Sequence, residues 1–172
     1  SVRVGLNRAY DLKEHRPVWV LYLLDVVFVI GAAAVMIAFS FLLIILPVAV
    51  TMMESYVPGT RENFATLVQL RYPLAMTLLF VGLHIAHRIL PAKRLSPLKV
   101  LPGVILTLLA WVVLTAVFSA WLQNANSFTS TYASLSGIFA AMFFIYLAAL
   151  VLIFGGEFNR VLETHRARAS IE

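Results

Sequence analysis

The chain has 172 residues, of which 62% are hydrophobic and 12% are charged, and its formal net charge is +5 at pH 7. Soluble domains are about 45–50% apolar, so this composition excludes an ordinary soluble fold and indicates a membrane protein. The 13 Lys and Arg residues lie in clusters between apolar runs, where they orient a membrane protein, so we expect no nucleic-acid partner.

Residues 1–17 form a basic arm before the first apolar run. Apolar residues recur in it at helical spacing, which predicts a short helix at the membrane interface or the end of a helix that begins earlier. The arm lacks the apolar core and the cleavage site of a secretory signal, and it begins with Ser1 rather than Met. We therefore expect the sequence to start inside a longer protein.

Four apolar stretches are long enough to cross a bilayer, since a spanning helix needs about 20 apolar residues. They cover approximately residues 19–50, 64–90, 101–122 and 133–158. We predict an all-α, polytopic transmembrane helical bundle in which residues 18–158 form the membrane domain and residues 159–172 form a cytoplasmic tail. The first stretch is the longest, so we expect it to tilt, to bend near Pro47 or to project from the bilayer.

Lys and Arg residues divide unequally between the two sides of the predicted membrane domain. The arm, the 88–99 connection and the tail carry eleven of them, whereas the opposite side carries two. Because cytoplasmic loops are enriched in Lys and Arg, we expect both ends of this chain to lie in the cytoplasm.

Small residues at intervals of four predict where the helices pack, since membrane helices associate by close approach rather than by the hydrophobic effect. The predicted packing residues are Ala34, Ala38, Ala116, Ala120, Ala133, Gly137 and Ala141. These faces would pack within the chain, or against a second copy or another subunit.

Polar residues gather at the cytoplasmic ends of the predicted spans. The candidate inner-rim site comprises Asn7, Arg8, Asp25, Arg88, Glu157, Asn159 and Arg160. Arginines there could attract phosphate while carboxylates set their geometry, which would make a gate for lipid headgroups or small solutes. The alternative is ion pairing that only fixes the helices. Asp25 lies inside the boundary marked by Trp19, so we expect it to make a polar contact in the bundle, with proton coupling as a hypothesis.

Metal, cofactor and catalytic signatures are weak. His84 and His87 have a spacing that could ligate a metal ion, a haem or a pigment, but no second ligand set accompanies them. We therefore expect hydrogen bonding at the interface, no metal site and no cofactor. The chain has no cysteine, its eight acidic residues are spread over separate flanks, and it has no HExxH motif. We expect no catalytic residues and no enzymatic activity.

Three segments follow one another in a recognisable order: LNRAYDLKEHRP (6–17), HRILPAKRLSPLKVLPGVILTLLAW (87–111) and STYASLSGIFAAMFFIYLAALVLIFGGEFN (130–159). Together they resemble the C-terminal part of the YihY/BrkB family of bacterial inner-membrane proteins, once labelled ribonuclease BN. The most specific parts are LPG at 101–103, the Tyr-small-Ser-Leu stretch at 132–135 and the Gly-small-Glu-apolar-Asn group at 155–159. The chain departs from the family pattern at His87, where tyrosine is usual before the arginine.

The resemblance implies a six-span protein of the bacterial inner membrane, of which this chain supplies the later spans. It also implies a role in envelope integrity, in lipid handling or in transport of lipids or small solutes. A transport path would be lined by hydroxyl side chains that could instead bond to their own helices: Ser40, Thr77, Ser134, Ser136 and Tyr146.

The alternative function is that of a non-catalytic accessory subunit of a larger membrane protein complex. Its small-residue faces would then serve as packing surfaces. Membrane lipids are the expected partners in both cases, and a homo-oligomer or a larger complex is left open.

Overall fold

The computed structural model describes residues 2–93, 95–125 and 133–169. Every regular element in these ranges is a helix, as the sequence predicts. The elements are α1 (Val2–Ala9), α2 (Val18–Ser40), a π-helical segment (Phe41–Ile45), α3 (Leu46–Tyr56), α4 (Thr60–Asn63), α5 (Ala65–Ile89), α6 (Pro97–Ala125) and α7 (Ala133–Ala169).

Four helical stretches are long and apolar enough to cross a membrane, judged by length and composition. They are Val18–Tyr56, Ala65–Ile89, Pro97–Gln123 and Gly137–Arg166. The prediction of an all-α chain with four such helices and a short N-terminal helix is confirmed. α7 has 37 residues, which at 1.5 Å per residue makes it about 55 Å long. Because the hydrocarbon layer is about 30 Å thick, part of α7 extends beyond it.

The chain divides into two compact units. The first unit falls within residues 1–15 and 87–172, and the second comprises residues 16–86. The first unit therefore contains α1, α6, α7 and the last residues of α5. The second contains α2, the π-helical segment, α3, α4 and most of α5.

In the first unit, α6 and α7 run antiparallel. The Trp111 indole nitrogen of α6 donates to the Ala148 carbonyl oxygen of α7 at 3.0 Å. About two turns later on α6, the Phe118 ring lies 5.0 Å from the Phe144 ring, measured between centroids. These contacts fix which residues of α6 and α7 face each other along the pair.

α1 packs on α7 at Gly156. The side chains of Leu6 and Ala9 lie against this glycine, and a Cβ added to it would contact both of them. The helix then ends in a Schellman motif, in which Leu12 N donates to the Asn7 carbonyl oxygen at 2.8 Å. Asp11 adopts the left-handed conformation that this motif needs, with φ of 54°. The turn stops α1 directly before Tyr10 and so fixes where that side chain enters the unit.

In the second unit, the helix from Val18 to Tyr56 is continuous, but its type changes directly before Pro47. Proline lacks a backbone N–H, and in a regular α-helix its ring collides with the carbonyl four residues earlier. The preceding π-helical segment, in which Leu46 N donates to the Phe41 carbonyl oxygen, makes room for the ring. The first apolar stretch thus continues past Pro47 without leaving the helical state.

The second unit also contains a tight connection between α3 and α4. Gly59 adopts a left-handed φ of 90°, which glycine tolerates without steric cost. The Glu54 carboxylate accepts hydrogen bonds from Gly59 N at 3.1 Å and from Arg61 N at 2.6 Å. The last turn of α3 therefore caps the first turn of α4.

Candidate functional site

The backbones of α6 and α7 meet at two glycines. A Cβ added to Gly103 would overlap the Gly155 carbonyl oxygen and lie 2.6 Å from Asn159 Cγ. A Cβ added to Gly155 would lie 2.8 Å from the Gly103 carbonyl oxygen. Each helix places a polar residue four positions after its glycine, Thr107 on α6 and Asn159 on α7. This resembles the small-xxx-small spacing that lets membrane helices approach closely.

Asn159 connects this crossing to α1. Its Oδ1 accepts from Gly103 N at 2.6 Å, and its Nδ2 donates to the Val100 carbonyl oxygen at 3.0 Å and to the Tyr10 hydroxyl at 2.9 Å. Asn159 is 3% exposed. The three hydrogen bonds offset the free-energy cost of removing its amide from water. One residue of α7 therefore holds both α6 and α1.

Tyr10 and His87 extend the network to the end of α5. The Tyr10 hydroxyl is 3.2 Å from His87 Nδ1, and the rings meet edge to face with centroids 6.4 Å apart. The Asn159 amide donates to the same hydroxyl oxygen, so the Tyr10 hydroxyl links the two side chains. The tautomer of His87 decides whether the hydroxyl or Nδ1 donates in the second contact.

Burial raises the pKa of Tyr10 to about 12, while the hydrogen bond from Asn159 acts in the opposite direction and the negative charge of Glu163 adds a smaller increase. The hydroxyl is therefore protonated at neutral pH and can donate in this network.

Thr107 lies at the centre of the crossing and is completely buried. Its Oγ1 has no hydrogen-bond partner among the described residues and faces the Cα of Gly155. A Cα–H···O contact of this kind is weaker than an N–H···O bond but recurs where helices approach closely. We use the term polar cluster for Tyr10, His87, Thr107 and Asn159.

A second set of polar contacts attaches the arm to the segment after α5. Asn7 Oδ1 accepts from Ala92 N at 2.7 Å, and Asn7 Nδ2 donates to the Glu14 carboxylate at 3.0 Å. Glu14 also pairs with Arg3 at 3.2 Å, and both side chains are largely buried. The arm is thus held by hydrogen bonds at Asn7 as well as at Tyr10.

A partly open pocket of about 240 Å³ lies beside the polar cluster, between the start of α6 and the last turns of α7. Its lining residues are Lys99, Asn159, Leu162, Glu163 and Arg166. The Lys99 ammonium and the Glu163 carboxylate form an ion pair whose side chains are about half exposed. Asn159 belongs to both the pocket and the polar cluster, so the two features are continuous.

The structure distributes the predicted inner-rim residues over several environments. Asn7 and Asn159 are buried in the first unit and make the contacts described above. Arg8 and Arg88 are exposed, and Asp25 is half-buried on α2 in the second unit.

Glu157 and Arg160 form an ion pair of 3.5 Å within α7, with both side chains nearly half exposed. This pair agrees with the alternative in which rim charges fix the helix. Which of the predicted rim residues are functional stays a prediction.

The small residues predicted to pack lie mostly on open faces. Ala34, Ala116, Ala120, Gly137 and Ala141 are exposed, and Ala38 is partly exposed. A Cβ on Gly137 would meet no described atom within 4 Å. The side chain of Ala133 lies outside the described residues. Close backbone contact occurs at Gly103 and Gly155, and the partner of the predicted faces stays a prediction.

The hydroxyl side chains predicted to line a transport path differ in their exposure and hydrogen bonding. Thr77 donates to the Pro73 carbonyl oxygen of its own helix at 2.8 Å. Tyr146 is exposed and Ser40 is partly buried, while the side chains of Ser134 and Ser136 lie outside the described residues. The path therefore stays a prediction.

The two histidines considered as ligands have different neighbours. His84 stacks on Phe80 in the second unit, with centroids 6.0 Å apart, whereas His87 contacts Tyr10 in the first. Within residues 2–93, 95–125 and 133–169, no group of three or more His, Asp or Glu side chains could hold a metal ion.

The sequence pattern does not single out Tyr10, Gly103 or Thr107 as site residues. A signal was nevertheless present, because Gly-x-x-x-Thr begins at Gly103 and Gly-x-x-x-Asn begins at Gly155. Both glycines fall in the LPG and Gly-small-Glu-apolar-Asn groups. Small-xxx-polar spacing is therefore the feature that locates this site.

The comparison with protein families covers the whole chain. Residues 1–172 match the family model described as virulence factor BrkB. The chain is also similar to the ribonuclease-like protein YfkH of Bacillus subtilis, with 28% identity over 166 residues. That match covers 94% of this chain and 59% of YfkH, so the chain spans less than two thirds of this relative's length. No solved structure gives a significant match.

Proposed function

Because this chain belongs to the BrkB family and forms a multi-pass integral membrane protein, we propose that it helps to move lipids or small solutes across the bacterial inner membrane. The family resemblance indicated by the three sequence segments is confirmed by the match over residues 1–172. The surplus of Lys and Arg on one side supports an orientation with both ends of this chain in the cytoplasm.

The observation that carries the proposal is the buried polar cluster. His87, Thr107 and Asn159 come from three helices that are long and apolar enough to span a bilayer. Polar and ionisable side chains are costly in hydrocarbon, and an ionisable residue within a span, here His87, indicates a path or a binding site. The cluster meets a pocket that contains Lys99 and Arg166, so polar and cationic groups are continuous at one end of α6 and α7.

We propose a role without bond-breaking chemistry. The name of the relative YfkH includes ribonuclease-like, and hydrolysis of a phosphodiester normally uses clustered carboxylates or a positioned acid and base. In this chain several carboxylates have structural partners, namely Glu14 with Arg3, Glu54 with two backbone N–H groups, Glu157 with Arg160 and Glu163 with Lys99. These pairings support transport over catalysis.

Reconstitution of the full-length protein in liposomes tests the proposal. Movement of a fluorescent phospholipid between leaflets would be followed by dithionite bleaching, and release of an entrapped solute would be followed in parallel. We expect wild-type protein to accelerate at least one process and Asn159→Ala to slow it severalfold.

Asn63→Ala is the matched control, because Asn63 is an exposed residue of α4 in the second unit. It should leave the transport rate unchanged at equal reconstitution. Equal rates in liposomes with and without the wild-type protein would contradict the proposed function.

A second candidate function is that of a non-catalytic subunit in a larger membrane complex. The observation that favours it is the exposure of small residues on α6 and α7, since Gly137 and Ala141 leave room for another helix. Native mass spectrometry of the protein extracted from its own membrane tests this candidate. A stable assembly with other proteins that Gly137→Leu disperses would support it, whereas a single type of chain in both variants would refute it.

A further inference from the structure

We propose that the pocket between the start of α6 and the end of α7 binds a phosphate group, carried by the headgroup of an anionic phospholipid or present as free phosphate. The pocket is the one lined by Lys99, Asn159, Leu162, Glu163 and Arg166. This inference rests on the proposed function, because it names the chemical class of ligand that the same site accepts.

The depth of the pocket suits a phosphate at the membrane surface. Lys99 is the third residue of the candidate span that begins at Pro97, and Arg166 is the last residue of the candidate span that ends α7. Because α6 and α7 run antiparallel, both cations lie at the same end of the pair. Both cations lie beyond the apolar runs of their helices, residues 101–122 and 133–158, and headgroup phosphates lie directly outside the hydrocarbon layer.

The chemistry of the lining residues also suits a phosphate group. An arginine guanidinium donates in a planar fork that matches phosphate oxygens, and a lysine ammonium adds a point charge. The N-terminal end of α6 contributes the positive end of a helix dipole beside Lys99. Leu162 supplies an apolar wall that could contact the glycerol or the upper acyl chain of a lipid.

The pocket already accommodates an anionic group. The Glu163 carboxylate occupies the position beside the Lys99 ammonium, so the geometry allows an anion to be held there. Half-exposed ion pairs contribute little to stability, so a phosphate can replace the carboxylate at small cost. Glu163 is therefore a competitor for Lys99, which gives the two residues opposite effects on binding.

This competition determines the design of the experiment. The full-length protein would be placed in nanodiscs of phosphatidylcholine, with or without phosphatidylglycerol, and retained lipids would be counted by native mass spectrometry. In a second arm, inorganic phosphate would be titrated into the phosphatidylcholine nanodiscs by calorimetry. The first arm reports a lipid source of the phosphate, and the second reports a free one.

Lys99→Gln and Arg166→Gln should each weaken phosphatidylglycerol retention about fivefold, the effect expected for one cation near a membrane surface. Glu163→Gln should strengthen retention, because it removes the competing carboxylate. Arg61→Gln is the matched control: it removes one positive charge from an exposed position on α4, and Arg61 is neither a lining residue of the pocket nor one of the candidate inner-rim residues. It should leave retention unchanged.

The opposite effects expected for Lys99→Gln and Glu163→Gln on phosphatidylglycerol retention distinguish a change in binding from a change in folding. Lys99→Gln and Glu163→Gln break the same ion pair, so a purely structural role would move both variants in the same direction. If the variants show this order of affinity in the calorimetric titration with phosphate but not in the retention of phosphatidylglycerol, the site would be assigned to free phosphate. Absence of binding in both arms, equal losses in Lys99→Gln and Arg61→Gln, or weaker binding in Glu163→Gln would overturn the proposal.

The result of the phosphate-binding experiment does not depend on whether the protein transports lipids or solutes. Binding that follows the expected order of variants, in a protein that moves neither lipid nor solute, would refute the proposed function and leave the site. Transport that proceeds without phosphate binding would refute the site and leave the function.

Discussion

Polar side chains in the two units of the chain, Thr51 and Thr77 in the second and Asn159 in the first, find their hydrogen-bond partners in different places. In the second unit, the hydroxyls of Thr51 and Thr77 donate to the carbonyl oxygens of Pro47 and Pro73, four residues earlier on the same continuous helix. In the first unit, Asn159 bonds to residues of α6 and to Tyr10, directly after α1. The hydroxyls of Thr51 and Thr77 are therefore satisfied locally, whereas the amide of Asn159 is satisfied across helices.

This difference predicts unequal sensitivity to substitution. A hydroxyl that bonds to its own helix keeps this hydrogen bond in any position of the helix relative to its neighbours, so it does not specify a packing arrangement. An amide that bonds to two other helices is satisfied in one arrangement only. The first unit should therefore depend on a few polar and glycine positions, whereas the second should tolerate changes at comparable positions.

The largest effect is expected at the glycine crossing. Gly103→Ala should lower the free energy of unfolding by about 3 kcal/mol, because the new methyl group meets the backbone of Gly155 and the amide of Asn159. The measurement is denaturation of the full-length protein in mixed micelles. Gly31→Ala on α2 is the matched control, because among the described residues no atom outside its own helix backbone lies within 4 Å of its Cβ position. It should change stability by less than about 1 kcal/mol, and equal losses at both positions would contradict the comparison.

The next largest effect is expected at Asn159. Asn159→Ala removes three hydrogen bonds, and side-chain hydrogen bonds in membrane proteins average about 0.6 kcal/mol, so a loss of about 2 kcal/mol is expected. Hydrogen exchange at the Gly103 amide should accelerate in the same variant. A stability change below about 0.5 kcal/mol, the range of the exposed control Asn63→Ala, would show that the network does not hold the unit together.

The number and type of helices could be predicted because the length of an apolar run is a direct physical requirement for crossing a bilayer. The ends of the helices could not be predicted in the same way. Charged residues after residue 158 mark the end of the apolar stretch, but α7 continues to Ala169. Hydropathy shows where hydrocarbon ends, whereas a helix ends where its backbone bonding ends.

The candidate site could be predicted only in part. Asn159 stood out because an amide follows a long apolar run, and it proves to be buried. Its partner Tyr10 is 149 residues away in sequence, so no local pattern could connect them. The two glycine spacings were visible, but which glycine faces which depends on the register of α6 and α7.

A smaller effect, with a defined pH dependence, is expected at Tyr10. Tyr10→Phe should lower the free energy of unfolding by about 1 kcal/mol, because it removes the contacts of the hydroxyl with Asn159 and His87. Burial raises the pKa of Tyr10 from its ordinary value of 10.0 to about 12. The unfolded chain therefore loses its proton first, and the stability contributed by this group falls as the pH rises between those values.

The measurement is the difference in unfolding free energy between wild-type protein and Tyr10→Phe as a function of pH. The wild-type advantage should be constant below pH 10.0 and should shrink as the pH approaches about 12. Tyr146→Phe, which removes the hydroxyl of an exposed tyrosine of α7, serves as the control for the loss of one hydroxyl. A wild-type advantage that grows with pH would contradict the assigned burial of Tyr10.

The smallest effect is expected at Thr77 in the second unit. Thr77→Val should change the unfolding free energy by less than about 0.5 kcal/mol, because the hydroxyl bonds only to Pro73 of its own helix among the partners described for it, and the valine side chain has nearly the same shape. Thr51→Val, which removes the same kind of bond at Pro47, is the matched comparison. If Thr77→Val instead slowed transport in liposomes while Thr51→Val did not, Thr77 would belong to the transport path predicted from the sequence, and local bonding would not describe its whole role.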